Sequence, residues 1–300
     1  MAYPDNSLNI KTSLTPAAGI AFFFCAFLLL FVVFSFISTF IMMKMSNEVA
    51  ALRIATLLQD IFIFILPALV TALLMTRVPA RFLFIDTSPQ IWDTAMSLII
   101  LFLAMPWLNE VIEWNNSFTL PESMKDLELK LREAEDTAAE FINNMLRGSS
   151  IASLLISIAI IGIMAALSEE LFFRGALLRL FLMTRMNHHL AIWIVAVIFS
   201  LMHFQFFGFI PRMLLGAYFG YLVWWTRCLW IPIIVHAVNN SVVVVAQWHE
   251  ANSTLAATES DSTSAAIRWT LFGLSIFITI ICLYIFNRRQ ANVATSTIQK

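Results

Sequence analysis

The sequence predicts an all-α fold, a polytopic bundle of about eight transmembrane helices. Hydrophobic residues make up 60% of the 300-residue chain and charged residues only 12%, whereas an ordinary soluble protein carries about 25% charged residues. A soluble fold could not cover so much apolar surface, but lipid can. The net charge of −1 also gives no sign of a nucleic-acid-binding surface, because such surfaces are basic.

The predicted spans are apolar runs of about 17 residues or more. The fourth run would extend about 50 Å as an unbroken helix, so we expect it to tilt, break or project from the bilayer. Short loops carry more Lys and Arg on the side of the termini, which predicts that both termini are cytoplasmic. We place the spans at residues 17–43, 55–76, 91–108, 150–183, 189–206, 209–226, 228–247 and 267–286.

The spans form three regions, residues 1–149, a chemically distinct core at 150–247, and residues 248–300. The sequence before Ser150 predicts an amphipathic helix. This helix lies on the membrane face or over the functional site, or else it is a solvated connector that packs on the neighbouring helices. Pro121 suits the start of this helix and Gly148 its end. Residues 248–266 are rich in Ser, Thr and Ala and predict a mobile connector. The apolar stripe of the predicted helix consists of Met124, Leu127, Leu131, Ala134, Ala138, Phe141 and Met145.

Glu169, Glu170 and Arg174 lie inside the fourth apolar run, where ionisable side chains are costly and need a reason. Adjacent residues on a helix point about 100° apart, so the two glutamates cannot share one role. Glu170 and Arg174 are four positions apart and can form an ion pair on one face. Glu169 then faces another direction, where a carboxylate without a partner suits a general base. The alternative is a charge cluster that only ties helices together.

Three further polar side chains are predicted at membrane depth on other spans. His203 ends the fifth span, whereas His236 and Asn240 share one face of the seventh because they are four positions apart. Taken singly, each could be a hydrogen-bonded residue between helices and nothing more. Together with Glu169, they can form a hydrolytic centre.

Two chemical interpretations of this centre stay open. In the first, no cofactor is required: Glu169 and His203 activate a water molecule, and two donors stabilise the oxyanion, His236 and Asn240. In the second, the same glutamate and the two histidines hold a zinc ion that activates the water. The sequence lacks a close ligand spacing such as H-E-x-x-H, and spacing alone does not decide between the two.

Other polar residues and glycines are given structural roles. Asp60 and Asp93 stand singly near span ends and are predicted to lie at the membrane interface, with Asp60, beside Gln59, the more buried of the two. Gly216 and Gly220 form a G-x-x-x-G pattern on the sixth span, which predicts close helix packing inside the bundle.

The polar residues of the core follow three patterns in order: EExxxR at Glu169–Arg174, FxxxH at Phe199–His203, and HxxxN at His236–Asn240. This ordered set resembles the motifs of the CPBP family, the CAAX proteases and bacteriocin-processing enzymes that are also called the ABI family. The resemblance covers residues 150–247, and every motif position matches.

The resemblance implies an intramembrane endopeptidase with an eight-helix core. Both a metalloprotease and a metal-independent glutamate mechanism are compatible with it; we favour the glutamate mechanism, which requires no cofactor, and zinc stays possible. The implied substrate is a membrane-associated peptide or protein segment, for instance a bacteriocin leader or a lipoprotein-derived peptide. The implied site residues are the base Glu169, its helper His203, the oxyanion donors His236 and Asn240, and the supporting pair Glu170 and Arg174.

A rival function is a membrane scaffold or bacteriocin-immunity protein that binds a peptide or partner without cleaving it. The intact set of catalytic positions disfavours this reading. A channel or transporter that uses Glu169 as a proton site would need a polar path across the membrane, whereas the polar residues cluster. The expected location is a bacterial plasma membrane, with lipid and a peptide substrate as the partners and no nucleic acid.

Overall fold

The computed structural model describes residues 14–146, 150–252 and 265–298. Within these ranges the fold is all-α and contains no β-strand, which confirms the predicted class. The longer helices are α1 (Pro16–Lys44), α2 (Glu48–Met75), α3 (Ile91–Asn116), α4 (Lys125–Met145), α5 (Ile151–Met183), α6 (His188–Leu201), α7 (Phe209–Thr226), α8 (Trp230–Asn252) and α9 (Ala265–Ile298).

Each predicted span has a helix, and six described helices are long and apolar enough to cross a membrane: α1, α2, α3, α5, α8 and α9. The chain is therefore a multi-pass membrane protein. Helix α6 has 14 residues, about 21 Å, which is too short for a hydrocarbon core of about 30 Å. It ends at Leu201 and not at residue 206 as predicted, so His203 lies in the turn that follows the helix.

The predicted loops also differ in extent from the structure. Helix α8 continues to Asn252, so the predicted connector at 248–266 begins later, and residues 253–264 lie outside the described part of the chain. Gly148, the predicted helix stop, lies outside it as well. Pro121 precedes a short 3₁₀ turn, Glu122–Met124, that leads into α4.

Helices α2 and α5 each depart from regular α-helical winding near the depth of the predicted site. Helix α2 contains a π-helical segment, Asp60–Ile65. Helix α5 contains two, Ile158–Met164 and Leu171–Leu177, and remains one continuous helix of 33 residues. The fourth span, which we expected to tilt, break or project from the bilayer, is therefore not broken. Such π-helical segments are rare and are frequent at functional sites.

Hydrogen bonds hold helix α4 near both of its ends. Arg53 of α2 donates from Nη2 to the carbonyl of Met145 at 2.8 Å and to Ser153 Oγ of α5 at 2.8 Å. Near the start of α4, the Leu120 N–H and Arg132 donate to the carboxylate of Glu128. These hydrogen bonds hold the pKa of Glu128 below its usual range.

The glycines of α7 allow the close packing that the G-x-x-x-G pattern predicts. A Cβ atom at Gly220 would lie 2.8 Å from Cγ2 of Ile192 on α6. A Cβ atom at Gly216 would lie 3.0 Å from Cδ1 of Phe199 and 3.3 Å from the backbone Cα of Ala196. Helices α6 and α7 therefore contact each other nearly backbone to backbone, and this carries the FxxxH segment towards the centre of the bundle.

Replacing Gly220 by Val is expected to lower the free energy of unfolding by about 1–3 kcal/mol, because the new side chain must displace Ile192. Thermal unfolding in detergent, followed by intrinsic tryptophan fluorescence, measures this change. The control is Gly273→Val on α9, where an added Cβ atom meets nothing within 4 Å. Equal midpoints for both variants would show that α6 and α7 do not pack as described.

Candidate active site

A buried ion pair lies at the centre of the bundle. Arg174 Nη1 is 2.7 Å from Glu170 Oε1, and both side chains are 0% exposed. The second guanidinium nitrogen, Nη2, donates to the carbonyl of Gly216 on α7 at 2.8 Å. The guanidinium carbon also lies 4.6 Å from the ring centroid of Phe199. The i,i+4 pairing that the sequence predicts is present, and it also connects α5 to α6 and α7.

His236 of α8 joins the same carboxylate. Its Nδ1 lies 2.9 Å from Glu170 Oε1, and because an ionised carboxylate only accepts hydrogen bonds, Nδ1 carries the proton. The ring stacks on Phe219 of α7 at a centroid distance of 4.8 Å. The other ring nitrogen, Nε2, is 3.8 Å from Glu169 Oε2. Oε1 of Glu170 is therefore shared between Arg174 and His236 in a network of three helices, whereas its Oε2 is buried without a hydrogen-bond partner among the described residues.

Glu169 points away from the ion pair of Glu170 and Arg174, as the spacing predicts, and approaches the network only at Nε2 of His236. Its side chain is 17% exposed, whereas that of Glu170 is 0% exposed. Glu169 lines two adjoining cavities, of about 420 Å³ and 300 Å³. Of the two adjacent acids, only Glu169 is placed to meet a molecule that enters the bundle.

His203 and Asn240 line both of these cavities together with Glu169. His203 Nδ1 donates to the carbonyl of Phe199 at 2.9 Å, so a neutral ring keeps Nε2 as an acceptor. Asn240 Nδ2 lies 3.4 Å from the carbonyl of Ile161, within the first π-helical segment of α5. His236 lines the smaller cavity only. The structure thus brings all four predicted catalytic side chains to one region.

The prediction that Asp60 lies at the membrane interface is wrong. Asp60 sits inside α2, is 3% exposed, and lines the larger cavity with Glu169. Its Oδ1 is 3.1 Å from the hydroxyl of Ser168, the residue before Glu169. The preceding polar Gln59, which marked Asp60 as the more buried of the two aspartates, also lines the cavity. Asp93 does lie near a span end, in the first turn of α3.

Arg212 is a second residue of this region that the sequence analysis did not single out. It lies in the first turn of α7, directly after Pro211, and lines both cavities. The last turns of α4 line the larger cavity through Phe141 and Met145 of the apolar stripe and through the adjacent Ile142. Of the two predicted placements for this amphipathic helix, the structure therefore shows the one over the site.

The side chains predicted as alternative zinc ligands do not converge as a metal site does. Among the described residues, no group of three His, Cys, Asp or Glu side chains is arranged to hold a metal ion. His203 and His236 both direct Nδ1 to protein acceptors, and Glu169 Oε2 lies 3.8 Å from His236 Nε2.

Replacing Glu170 by Gln is expected to lower the free energy of unfolding by about 3–5 kcal/mol, because Arg174 stays buried without a counter-charge. Thermal unfolding in detergent measures the change. The control is Glu113→Gln, which breaks a surface ion pair with Arg268 of similar length, 2.6 Å, whose glutamate is 64% exposed, and which should cost no more than about 1 kcal/mol. A similar midpoint for both variants would contradict the central role of the buried pair.

Comparison with known proteins agrees with the motif order. Residues 151–242 match the family described as type II CAAX prenyl endopeptidase Rce1-like. No curated protein and no solved structure matches the chain. The matched segment contains all three motifs, from Glu169 to Asn240, and it supports a peptidase of the CAAX intramembrane kind. Over residues 151–242 the chain is similar to the Rce1-like endopeptidases, which confirms the family resemblance predicted from its motifs.

Proposed function

We propose that the protein is an intramembrane endopeptidase in which Glu169 activates a water molecule. The observation that carries the proposal is the division between two adjacent acids. Glu170 is sealed in an ion pair with Arg174, while Glu169 faces the two cavities beside His203 and Asn240. A hydrolytic site of this kind needs one carboxylate that is free to accept a proton. It also needs surrounding side chains that are held in fixed positions.

The first chemical step uses the carboxylate of Glu169 and the unprotonated Nε2 atom of His203. Glu169 takes a proton from a water molecule, and the unprotonated Nε2 of His203 accepts the second hydrogen bond of that water. The water oxygen attacks the carbonyl carbon of the scissile peptide bond, which produces a tetrahedral oxyanion. When the C–N bond breaks, the proton held by Glu169 passes to the leaving nitrogen, so that the carboxylate is restored.

The oxyanion needs hydrogen-bond donors, and Asn240 supplies an amide group at the cavity wall. The predicted hydrogen bond from His236 to the oxyanion depends on the protonation of the imidazole ring. Because its Nδ1 proton is committed to Glu170, a neutral ring has no proton on Nε2 and can only accept there. His236 therefore donates to an oxyanion only as an imidazolium, with one N–H directed to Glu170 and the other to the substrate.

The substrate we propose is a membrane-associated peptide or protein segment, such as a bacteriocin leader or a lipoprotein-derived peptide. The enzyme would act in the plasma membrane of a bacterium, with both termini in the cytoplasm, as the loop charges indicate. Helix α4 contributes apolar side chains to the larger cavity, and this suits a substrate that is itself largely apolar.

The central test is Glu169→Gln, which removes the base but keeps its shape. Cleavage of labelled peptides by the purified protein in detergent is expected to fall by about 10²–10⁴-fold. Glu133→Gln on the exposed face of α4 is the matched control and should cleave like the wild type. A zinc chelator should leave the wild-type rate unchanged.

Two other outcomes would change the assignment. Full activity in the Glu169→Gln variant would contradict the role of this residue as the base, and loss of activity with chelator would favour the zinc mechanism. Binding of peptides without cleavage, equal in wild type and variant, would favour the alternative function, a non-proteolytic scaffold or bacteriocin-immunity protein.

A further inference from the structure

Arg212 brings a guanidinium group into the cavities beside the proposed base. It lies in the first turn of α7 and lines both cavities together with Glu169 and His203. Burying a charged group is costly without a compensating partner, and Nη1 of Arg212 is buried. The contacts of Arg212 show that the described part of the chain supplies few partners for its charge.

The guanidinium is held by the loop between α6 and α7. Its Nη2 donates to Gln205 Oε1 at 2.7 Å. A Cβ atom at residue 208 would lie 2.8 Å from Nη2 and 3.3 Å from Cζ, so Gly208 leaves the space in which the group rests. Its Nη1 is buried and has no hydrogen-bond partner among the described residues.

Two other arginines of the bundle have protein partners at their Nη atoms, although Nε of each is buried without a hydrogen-bond partner among the described residues. Arg174 pairs with Glu170 at 2.7 Å, and Arg53 donates to the carbonyl of Met145 and the hydroxyl of Ser153. Arg212 has no carboxylate within 4.0 Å in the described ranges. Glu135 of α4 is one acid whose charge acts on it.

That acid is already engaged. Glu135 Oε1 accepts the backbone N–H of Phe207 at 2.8 Å, which attaches α4 to the same loop. The other acid that acts on Arg212 is Glu169, which the proposed mechanism requires as a free base. An arginine that is oriented by Gln205, accommodated by Gly208 and left without an ion pair has the properties of a binding group for an anion.

We propose that Arg212 binds a carboxylate group of the substrate and thereby determines which peptides are cleaved. This inference rests on the proposed peptidase function of the same cavity. The planar guanidinium matches a carboxylate with two parallel hydrogen bonds, which gives geometric specificity as well as affinity. Arg212 and Glu169 line the same cavities. The bound carboxylate therefore lies a short distance along the substrate peptide from the scissile bond.

Two parts of a peptide offer this chemistry, the free C-terminal carboxylate and the side chain of Asp or Glu. A different explanation for Arg212 is that it only balances the charge of Glu169. The two explanations differ in a measurable way. A group that binds the substrate carboxylate discriminates between substrates and acts on KM, whereas a group that supports the base lowers kcat for all substrates alike.

The experiment uses the full chain in detergent and three fluorogenic apolar peptides of one sequence. The first ends in a free carboxylate, the second in a C-terminal amide, and the third ends in the amide but carries one Asp near its C-terminus. Wild type is expected to show a KM about tenfold or more lower for a peptide with a carboxylate than for the amide. The first and third peptides identify the source of the carboxylate.

The variant Arg212→Gln is expected to raise KM about tenfold for the preferred peptide and to leave the amide peptide unchanged. Arg212→Lys, which keeps the charge but loses the paired geometry, should recover part of the preference. Arg288→Gln, at an exposed position of α9, is the matched control. An equal fall of kcat for all three peptides, with KM unchanged, would overturn the inference.

Binding separates this inference from the proposed function. The same peptides are titrated against Glu169→Gln, which should bind without cleaving, and against the double variant that also carries Arg212→Gln. A preference for the carboxylate peptide that is lost in the double variant supports the inference even if no peptide is cleaved. Equal binding of acid and amide peptides to Glu169→Gln overturns it, whatever the result of the cleavage assay.

Discussion

The structure of the site depends on the buried carboxylate of Glu170. One of its oxygens meets both the guanidinium of Arg174 at 2.7 Å and the imidazole of His236 at 2.9 Å. Since Arg174 also donates to Gly216, this oxygen ties α5, α7 and α8 together at membrane depth. A buried charge pair adds little net stability but is costly to break, so the network fixes the geometry of the helices more than it drives their association.

This network releases Glu169 for chemistry. With Glu170 paired on one face of α5, the adjacent acid is turned towards the cavities, between two π-helical segments of the same helix. Asp60 meets Ser168 from α2 at the start of a third π-helical segment. The irregular winding of α2 and α5 therefore surrounds the turn that carries the proposed base.

Local spacing predicted much of this arrangement, and tertiary contacts account for the rest. The i,i+4 relation was sufficient to pair Glu170 with Arg174 and to turn Glu169 away. It could not reveal that His236 shares the carboxylate, because 66 residues separate the two and only the packing of α5 against α8 joins them. Asp60 was placed at the interface because hydropathy began its helix too late, whereas α2 starts at Glu48. No sequence spacing pointed to Arg212, because its role depends on the cavities that it lines in the folded protein.

The central claim is that two adjacent glutamates divide their roles, one in the cavity and one in the ion pair. Labelling with a membrane-permeant carbodiimide, located by peptide mass spectrometry, tests this claim most directly. We predict that Glu169 is modified, that Glu170 is protected, and that peptide cleavage is lost in proportion to the modification of Glu169. Modification of Glu170 in the folded protein, or cleavage that persists when Glu169 is fully modified, would contradict the account.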